Sequence, residues 1–333
     1  MLILLSGLLP LRAWSAPQRP AASSRPAVVA LTVEPPSLQL NGPRALAHYL
    51  VTARLSDGSF SDVTDKAEMA SPSALARLEA KGTLRPVKDG TETLRFTYGD
   101  RTAAAKVTVR GAKRHTPISF SAEVVPVLTR AGCNQGACHG AQYGKGGFKL
   151  SLLGFDPAAD YVAIARQARG RRLSLADPTH SLILLKPTMA VRHGGGRRLE
   201  PGTPPYETIV RWLQDGAPAP DPKEPTVDRI AVYPSERLLS PGGGPQRLVV
   251  IATYTDGTTR DVTDQTRFNP LNDAIVACTA EGVTTPTGRG QTAVMVRYAG
   301  RAAVATFVIP FGKVLVEAPT SNLIDSLVAK KQR

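Results

Sequence analysis

A pattern of eleven residues occurs twice in this chain, 199 positions apart. Leu55-Ser56-Asp57-Gly58-Ser59-Phe60-Ser61-Asp62-Val63-Thr64-Asp65 returns as Tyr254-Thr255-Asp256-Gly257-Thr258-Thr259-Arg260-Asp261-Val262-Thr263-Asp264. The surroundings repeat too. Each copy lies behind a strand-like run ending in proline, Leu31–Pro35 and Ile230–Pro234. An alternating run leads into each Asp-Gly: Tyr49, Val51, Ala53 and Leu55 in the first, Leu248, Val250, Ala252 and Tyr254 in the second. Each copy closes with a hairpin, 93–98 with 103–109 and 293–298 with 302–309. Period-two alternation broken by closely spaced turns predicts antiparallel β-sandwiches, here over 28–111 and 226–311. Asp-Gly between such strands favours a tight hairpin, because glycine tolerates positive φ.

The composition agrees. With 42% hydrophobic and 20% charged residues, a chain of 333 residues buries the cores of two or three domains, which excludes wholesale disorder. The 29 glycines and 28 prolines disfavour a helical bundle. The Asp-Gly turn and the Asp-Val-Thr behind it resemble bacterial immunoglobulin-like domains of the group 2 kind. The resemblance covers about half of the chain and implies spacer or adhesion modules rather than an enzyme. Asp62, Asp65, Asp261 and Asp264 read as turn and strand-edge groups, since a calcium loop needs a denser run of oxygen ligands. Cys278 reads as a small buried apolar residue.

The N-terminus carries an export signature. An apolar run from Leu2 to Leu11 precedes Ala13, Ser15 and Ala16, the small residues of a signal-peptide cleavage site, so residues 1–16 are expected to be a signal peptide. Residues 17–27, rich in Pro, Ala and Ser, are expected to be a disordered spacer. No later stretch reaches the roughly 18 apolar residues of a membrane-spanning helix. The expected location is the periplasm or the cell surface.

Between the repeats, residues 113–221 lose the β pattern. Phe120–Arg130 predicts a short helix capped by Ser121, and Pro205–Gly216 a terminal helix with an apolar stripe. They bracket a Gly-rich, basic segment with little regular structure, which suggests a core completed by a cofactor. The informative pair is Cys138-His139. In c-type haem attachment two cysteines bond the haem and the histidine directly after the second ligates the iron. Four residues separate Cys133 from Cys138 rather than the usual two, and Gly136 accommodates the longer loop. Downstream, His193 and Met189 are the candidate distal ligands, with His193 preferred for the glycines at 194–196 beside it. His180 reads as a cap on the Asp177-Pro178 turn, and His48 and His115 as surface or strand residues.

The stretch also resembles the cytochrome c-like domains of large exported proteins abundant in planctomycetes. The matching residues are Phe120 to Leu128, Gly144 to Leu152, Ser181 to Pro187, His193 to Arg198 and Trp212 to Ala217. The resemblance implies a small haem domain over 113–221, with Cys133 and Cys138 as attachment points, His139 as proximal ligand and His193 or Met189 as distal ligand. In the resembling proteins an Asn-x-Ile-Asp helix opens a larger domain. Residues 318–333, with Asn322 and Asp325, are expected to begin a C-terminal helix of that sort.

The expected architecture is thus mainly β: two Ig-like sandwiches flanking a small, helical, loop-rich cytochrome c-like domain. The expected function is one-electron transfer by haem c, with the chain a carrier rather than a catalyst. Other readings stay open. Cys133 and Cys138 form a disulfide in a non-redox surface scaffold, or bind zinc with His139 and His193, or the chain is the accessory front end of a larger enzyme. The net charge of +14 is uneven: +3 in residues 1–26, +2 in 27–110, +6 in 111–221 and +3 in 222–333. The repeats lack a basic stripe interleaved with aromatics, so nucleic acid is not the expected partner. The basic middle third suits an acidic redox partner, and the repeats suit a cell-surface partner.

Overall fold

The computed structural model describes residues 26–312 and 321–332. The signal peptide, the spacer as far as residue 25 and positions 318–320 lie outside the described residues. The molecule is mainly β. Among the described residues no helix is long and apolar enough to cross a membrane.

The two repeats share one strand plan. In the first, a three-stranded sheet joins Val28–Glu34, Leu50–Leu55 and Phe60–Asp62. In the second, Val227–Tyr233, Val249–Tyr254 and Thr259–Asp261 are joined in the same order. A four-stranded sheet in each holds the expected hairpin: Gly90–Tyr98 with Arg101–Arg110, and Gly290–Tyr298 with Arg301–Ile309. A small third sheet completes each repeat. Even irregularities coincide. Register shifts fall between Val28 and Ala30 and between Val227 and Arg229. Cis peptide bonds precede Pro35 and Pro234.

The plan differs from the expected all-antiparallel sandwich in one strand pair per repeat. Ser37–Asn41 pairs parallel with Arg101–Arg110, and Glu236–Leu238 parallel with Arg301–Ile309. The turn after each proline carries the chain across to the other sheet, so it arrives beside the last strand rather than the next one.

Alternation decides the cores. Leu94, Phe96, Ala105, Val107 and Val109 face inward in the first repeat; Val294, Val296, Ala305, Phe307 and Ile309 do so in the second. The Asp-Val-Thr motif now has a physical reading. Val63 and Val262 are buried in their cores. Thr64 Oγ1 accepts from the Val51 backbone N–H at 2.9 Å, and Thr263 Oγ1 from Val250 at 2.9 Å. Each aspartate closes its own turn through Oδ1, which accepts from Thr64 N and Thr263 N at 2.9 Å.

The middle segment is helical and loop-rich, with short helices at Val125–Arg130, Pro157–Tyr161, Leu182–Leu185 and Pro204–Gln214. The first predicted helix starts in a π turn, Phe120–Val124, and its cap is Ser119 rather than Ser121. Ser119 Oγ accepts from Ala122 N at 2.9 Å, and Glu123 Oε2 accepts from Ser119 N at 2.9 Å, a capping box. Phe120, Ile164, Leu184, Ile209, Trp212 and Leu213, each at most 1% exposed, build a continuous apolar core from the protein alone. Trp212 docks by its ring N–H on the Pro218 carbonyl, 3.0 Å away.

Cys278 is half-buried at the edge of the second repeat's core. His115 is exposed, and His180 pairs with Asp177 at 2.7 Å on the surface. The C-terminal helix runs over Leu323–Gln332, with Asn322 Oδ1 accepting from Asp325 N at 2.9 Å.

Candidate functional site

The loop from Cys133 to Leu150 folds back on itself by main-chain bonds. Cys133 O accepts from His139 N at 2.9 Å, Cys138 O from Lys145 N at 3.2 Å and His139 O from Leu150 N at 2.7 Å. This brings Phe148 against the His139 ring, with centroids 4.6 Å apart. The His139 Nδ1 lies 2.8 Å from the Phe148 carbonyl oxygen. A carbonyl only accepts, so Nδ1 carries the proton and Nε2 keeps its lone pair.

His193 repeats this arrangement. Its Nδ1 lies 2.8 Å from the Gly196 carbonyl oxygen, which fixes the same tautomer. The two imidazoles have centroids 6.3 Å apart and planes only 15° from parallel. Two imidazoles ligating one metal ion from opposite sides, with nitrogen–metal bonds of about 2 Å, place their ring centres about 6 Å apart. The ring separation is that of such a pair, and each ring is oriented by a backbone carbonyl in the way metal-ligating histidines usually are. Burial pushes the His139 imidazole below its ordinary value, helped by the nearby His193 and Arg172. That favours the neutral, ligating form.

Two glycines make this geometry possible. A Cβ at Gly144, where φ is +66°, would stand 2.1 Å from the Phe148 carbonyl oxygen that holds His139. A Cβ at Gly195 would stand 2.8 Å from Cε1 of His193. The sequence suggests that glycines 194–196 serve close approach of a haem. At Gly195 the close neighbour is the histidine itself. Lys145 Nζ donates to Gly194 O at 3.2 Å, tying the two loops together, and Arg198 Nε donates to Gly195 O at 2.8 Å within the second loop.

Cys133 and Cys138 are half-buried free thiols. Burial raises the Cys133 thiol to about 11, with Arg198 opposing that shift. Met189 is 41% exposed in a left-handed turn. The structure brings the candidate distal ligand His193 beside His139. No group of three or more His, Cys, Asp or Glu arranged for a metal ion occurs among the described residues, so the four residues of a zinc site are not gathered.

A second cluster was read in the sequence as four bland aspartates. The two repeats face one another through them. Asp62 Oδ2 accepts from the backbone N–H of Arg247 at 3.1 Å, and the Arg247 guanidinium reaches Asp65. Asp261 Oδ2 accepts from the backbone N–H of His48 at 2.5 Å and lies 3.1 Å from its Nδ1, while Nε2 is 3.6 Å from Asp264. Residues 48 and 247, 62 and 261, and 65 and 264 are each 199 apart. The contacts are thus one contact applied twice, about a pseudo-twofold axis. The repeat spacing was the signal for it: identical polar residues in both copies sit where a self-complementary interface needs them.

No family model and no curated protein matches the chain. Solved structures with some likeness are pieces of the S-layer protein SbsC. Its domains 5–6 are 11% identical, with 85% of this chain and 99% of that one covered at a TM-score of 0.32. Its domains 1–6 are 10% identical, with 90% of this chain covered at a TM-score of 0.23. The chain spans 29% of that second structure. Likeness this remote carries no argument about function.

Proposed function

We propose that this chain is an exported electron-transfer protein that holds haem c between His139 and His193 and carries it between two Ig-like spacer modules. The reading is carried by one observation: two near-parallel imidazoles 6.3 Å apart, each with Nδ1 on a carbonyl and Nε2 available, directly after Cys138. Bound haem supplies the one-electron chemistry. Cys133 and Cys138 are the attachment points. The Phe148 and Gly196 carbonyls fix the tautomers and orient the rings. Phe148, with Arg172 over its face at 4.3 Å, shields one side of His139 from water. Lys145, Arg172 and Arg198 are the basic groups on these loops that would pair with haem carboxylates, and the basic middle third would steer an acidic redox partner. Two histidines would set a lower potential than a histidine–methionine pair.

The test is expression of the full chain with haem-attachment machinery, followed by a haem stain on denatured protein and a visible spectrum. Covalent haem is expected in the wild type and in Met189→Ala. His193→Ala is expected to keep covalent haem but change the low-spin spectrum. Cys133→Ala with Cys138→Ala is expected to lose the stain. A wild type with no covalent haem sinks the reading.

A second reading is a non-redox cell-surface scaffold. It is favoured by the self-contained apolar core of the middle segment. Unchanged thermal unfolding with and without haem would support it.

A further inference from the structure

Where the two repeats and the middle segment meet, they enclose a cleft of about 990 Å³. Eight arginines line it and no lysine does. Arg44 is paired with Glu123 at 3.2 Å, Arg85 with Glu79 at 2.9 Å, and Arg130 caps carbonyls of the second repeat. The other five, Arg110, Arg114, Arg198, Arg211 and Arg260, have no carboxylate within ion-pair distance among the described residues. They come from all three segments of the chain, so the cleft exists only in the assembled molecule.

The acidic groups do not cancel this charge. Glu123, Asp261, Asp264 and Glu281 each already face a cation, which leaves Glu207 and Glu224 against five unpaired arginines. Arginine offers a planar fork matched to carboxylate, sulfate or phosphate. The volume is that of a small-molecule site rather than of a docked globular protein. The walls add the amide and hydroxyl oxygens of Gln39, Asn41, Thr208 and Thr258, whose hydrogens already serve the protein while the oxygens can still accept. The two aromatic residues lining it, Tyr254 and Tyr298, are buried, so no exposed ring is offered for base stacking.

We infer that this cleft is a binding site for an acidic oligosaccharide, a short sugar chain bearing carboxylate or sulfate groups. The arginines take the anionic groups, and the amides and hydroxyls take the sugar hydroxyls. The site shares Arg198 with the His193 loop and does not rest on haem being bound.

Titration of the full chain by calorimetry tests this, with a hexagalacturonate as carboxylate probe and a heparin-derived hexasaccharide as sulfate probe, at low and moderate salt. At least one is expected to bind with one-to-one stoichiometry and to weaken as salt rises. Arg110→Ser with Arg211→Ser, both exposed side chains, is expected to weaken binding at least tenfold. Arg54→Ser with Arg297→Ser, two exposed arginines outside the cleft, is expected to change it less than twofold. The two arms tell carboxylate from sulfate recognition. Binding of neither probe overturns the inference, and so does equal weakening by both double variants, which would mean a general response to net charge. Tighter binding of a single-stranded oligonucleotide or a polyglutamate peptide of equal charge would overturn the sugar assignment.

Discussion

The two repeats meet through the same contact made twice, yet the halves are not chemically equal. In one, Asp62 and Asp65 face Arg247; in the other, Asp261 and Asp264 face His48. Both buried aspartates, with side chains 2% exposed, hold their own turn with one oxygen and the opposite repeat with the other. The difference lies in the cation. Arginine stays charged at all ordinary pH, while an imidazole is charged only as far as its surroundings allow. Burial pushes His48 down, but the charge and hydrogen bond of Asp261, with Asp264 behind, outweigh it and lift the ring to about 9. A duplicated interface thus carries one permanent and one titratable clasp.

The cores show a related exchange. On one cross-strand rung the first repeat pairs Met69 with Phe96, and the second pairs Phe268 with Val296. The aromatic ring has moved across the rung while the pair keeps most of its bulk. Tyr49 stacks on Phe96 at 4.7 Å, where the second repeat has Leu248.

The largest expected effect breaks this rung. Phe96→Ala leaves a cavity and is expected to cost about 3–5 kcal/mol in denaturant unfolding. Phe96→Val combined with Met69→Phe, which rebuilds the second repeat's arrangement in the first, is expected to cost less than about 1.5 kcal/mol. Equal losses would mean that the repeats do not share interchangeable cores.

Next come the aspartates. Asp62→Ala and Asp261→Ala each strip a buried carboxylate from a turn and from the facing repeat, and each is expected to cost about 3 kcal/mol. A double-mutant cycle between Asp62 and Arg247 isolates the part that spans the interface. A coupling near zero there would show that Asp62 serves its own turn alone.

Alkaline pH separates the two clasps. His48 binds its proton more tightly in the folded chain than at the ordinary imidazole value of about 6.5. The stability it adds is complete below that value and is lost as pH climbs through about 9. With allowance for the ring's partial exposure, this amounts to roughly 2 kcal/mol. Melting curves at pH 6 and pH 10 are expected to show this loss in the wild type and to show it reduced in His48→Arg. Asp261→Ala should flatten it as well. A His48→Arg profile that tracks the wild type would remove the titratable clasp.

The smallest expected effect lies at the rim. Ser240 Oγ donates to Ser59 Oγ at 2.9 Å, and Asn41 Nδ2 to Thr259 O at 3.1 Å. Ser240→Ala and Asn41→Ala are each expected to cost about 0.5–1 kcal/mol. A larger loss from either would shift weight from the aspartates to the rim.

Much of this was legible in the chain. The 199-residue repeat gave two β domains, because alternation and Asp-Gly turns are local properties. Cys138-His139 and His193 were legible as a candidate site because adjacency and glycine neighbours are local too. The parallel strand pairs were not, since each depends on which distant backbone groups end up nearby.

By itself the sequence determined the elements: where strands alternate, where turns fall, which residue types carry chemistry. Only the tertiary structure decided partnership. It set His193 beside His139, turned four repeated aspartates into a pseudo-twofold clasp and drew arginines from three segments into one cleft. The physical reason is range. Periodicity and turn geometry act over a few residues. Charge pairing and ring placement join positions tens to hundreds of residues apart, which only packed cores can hold in register.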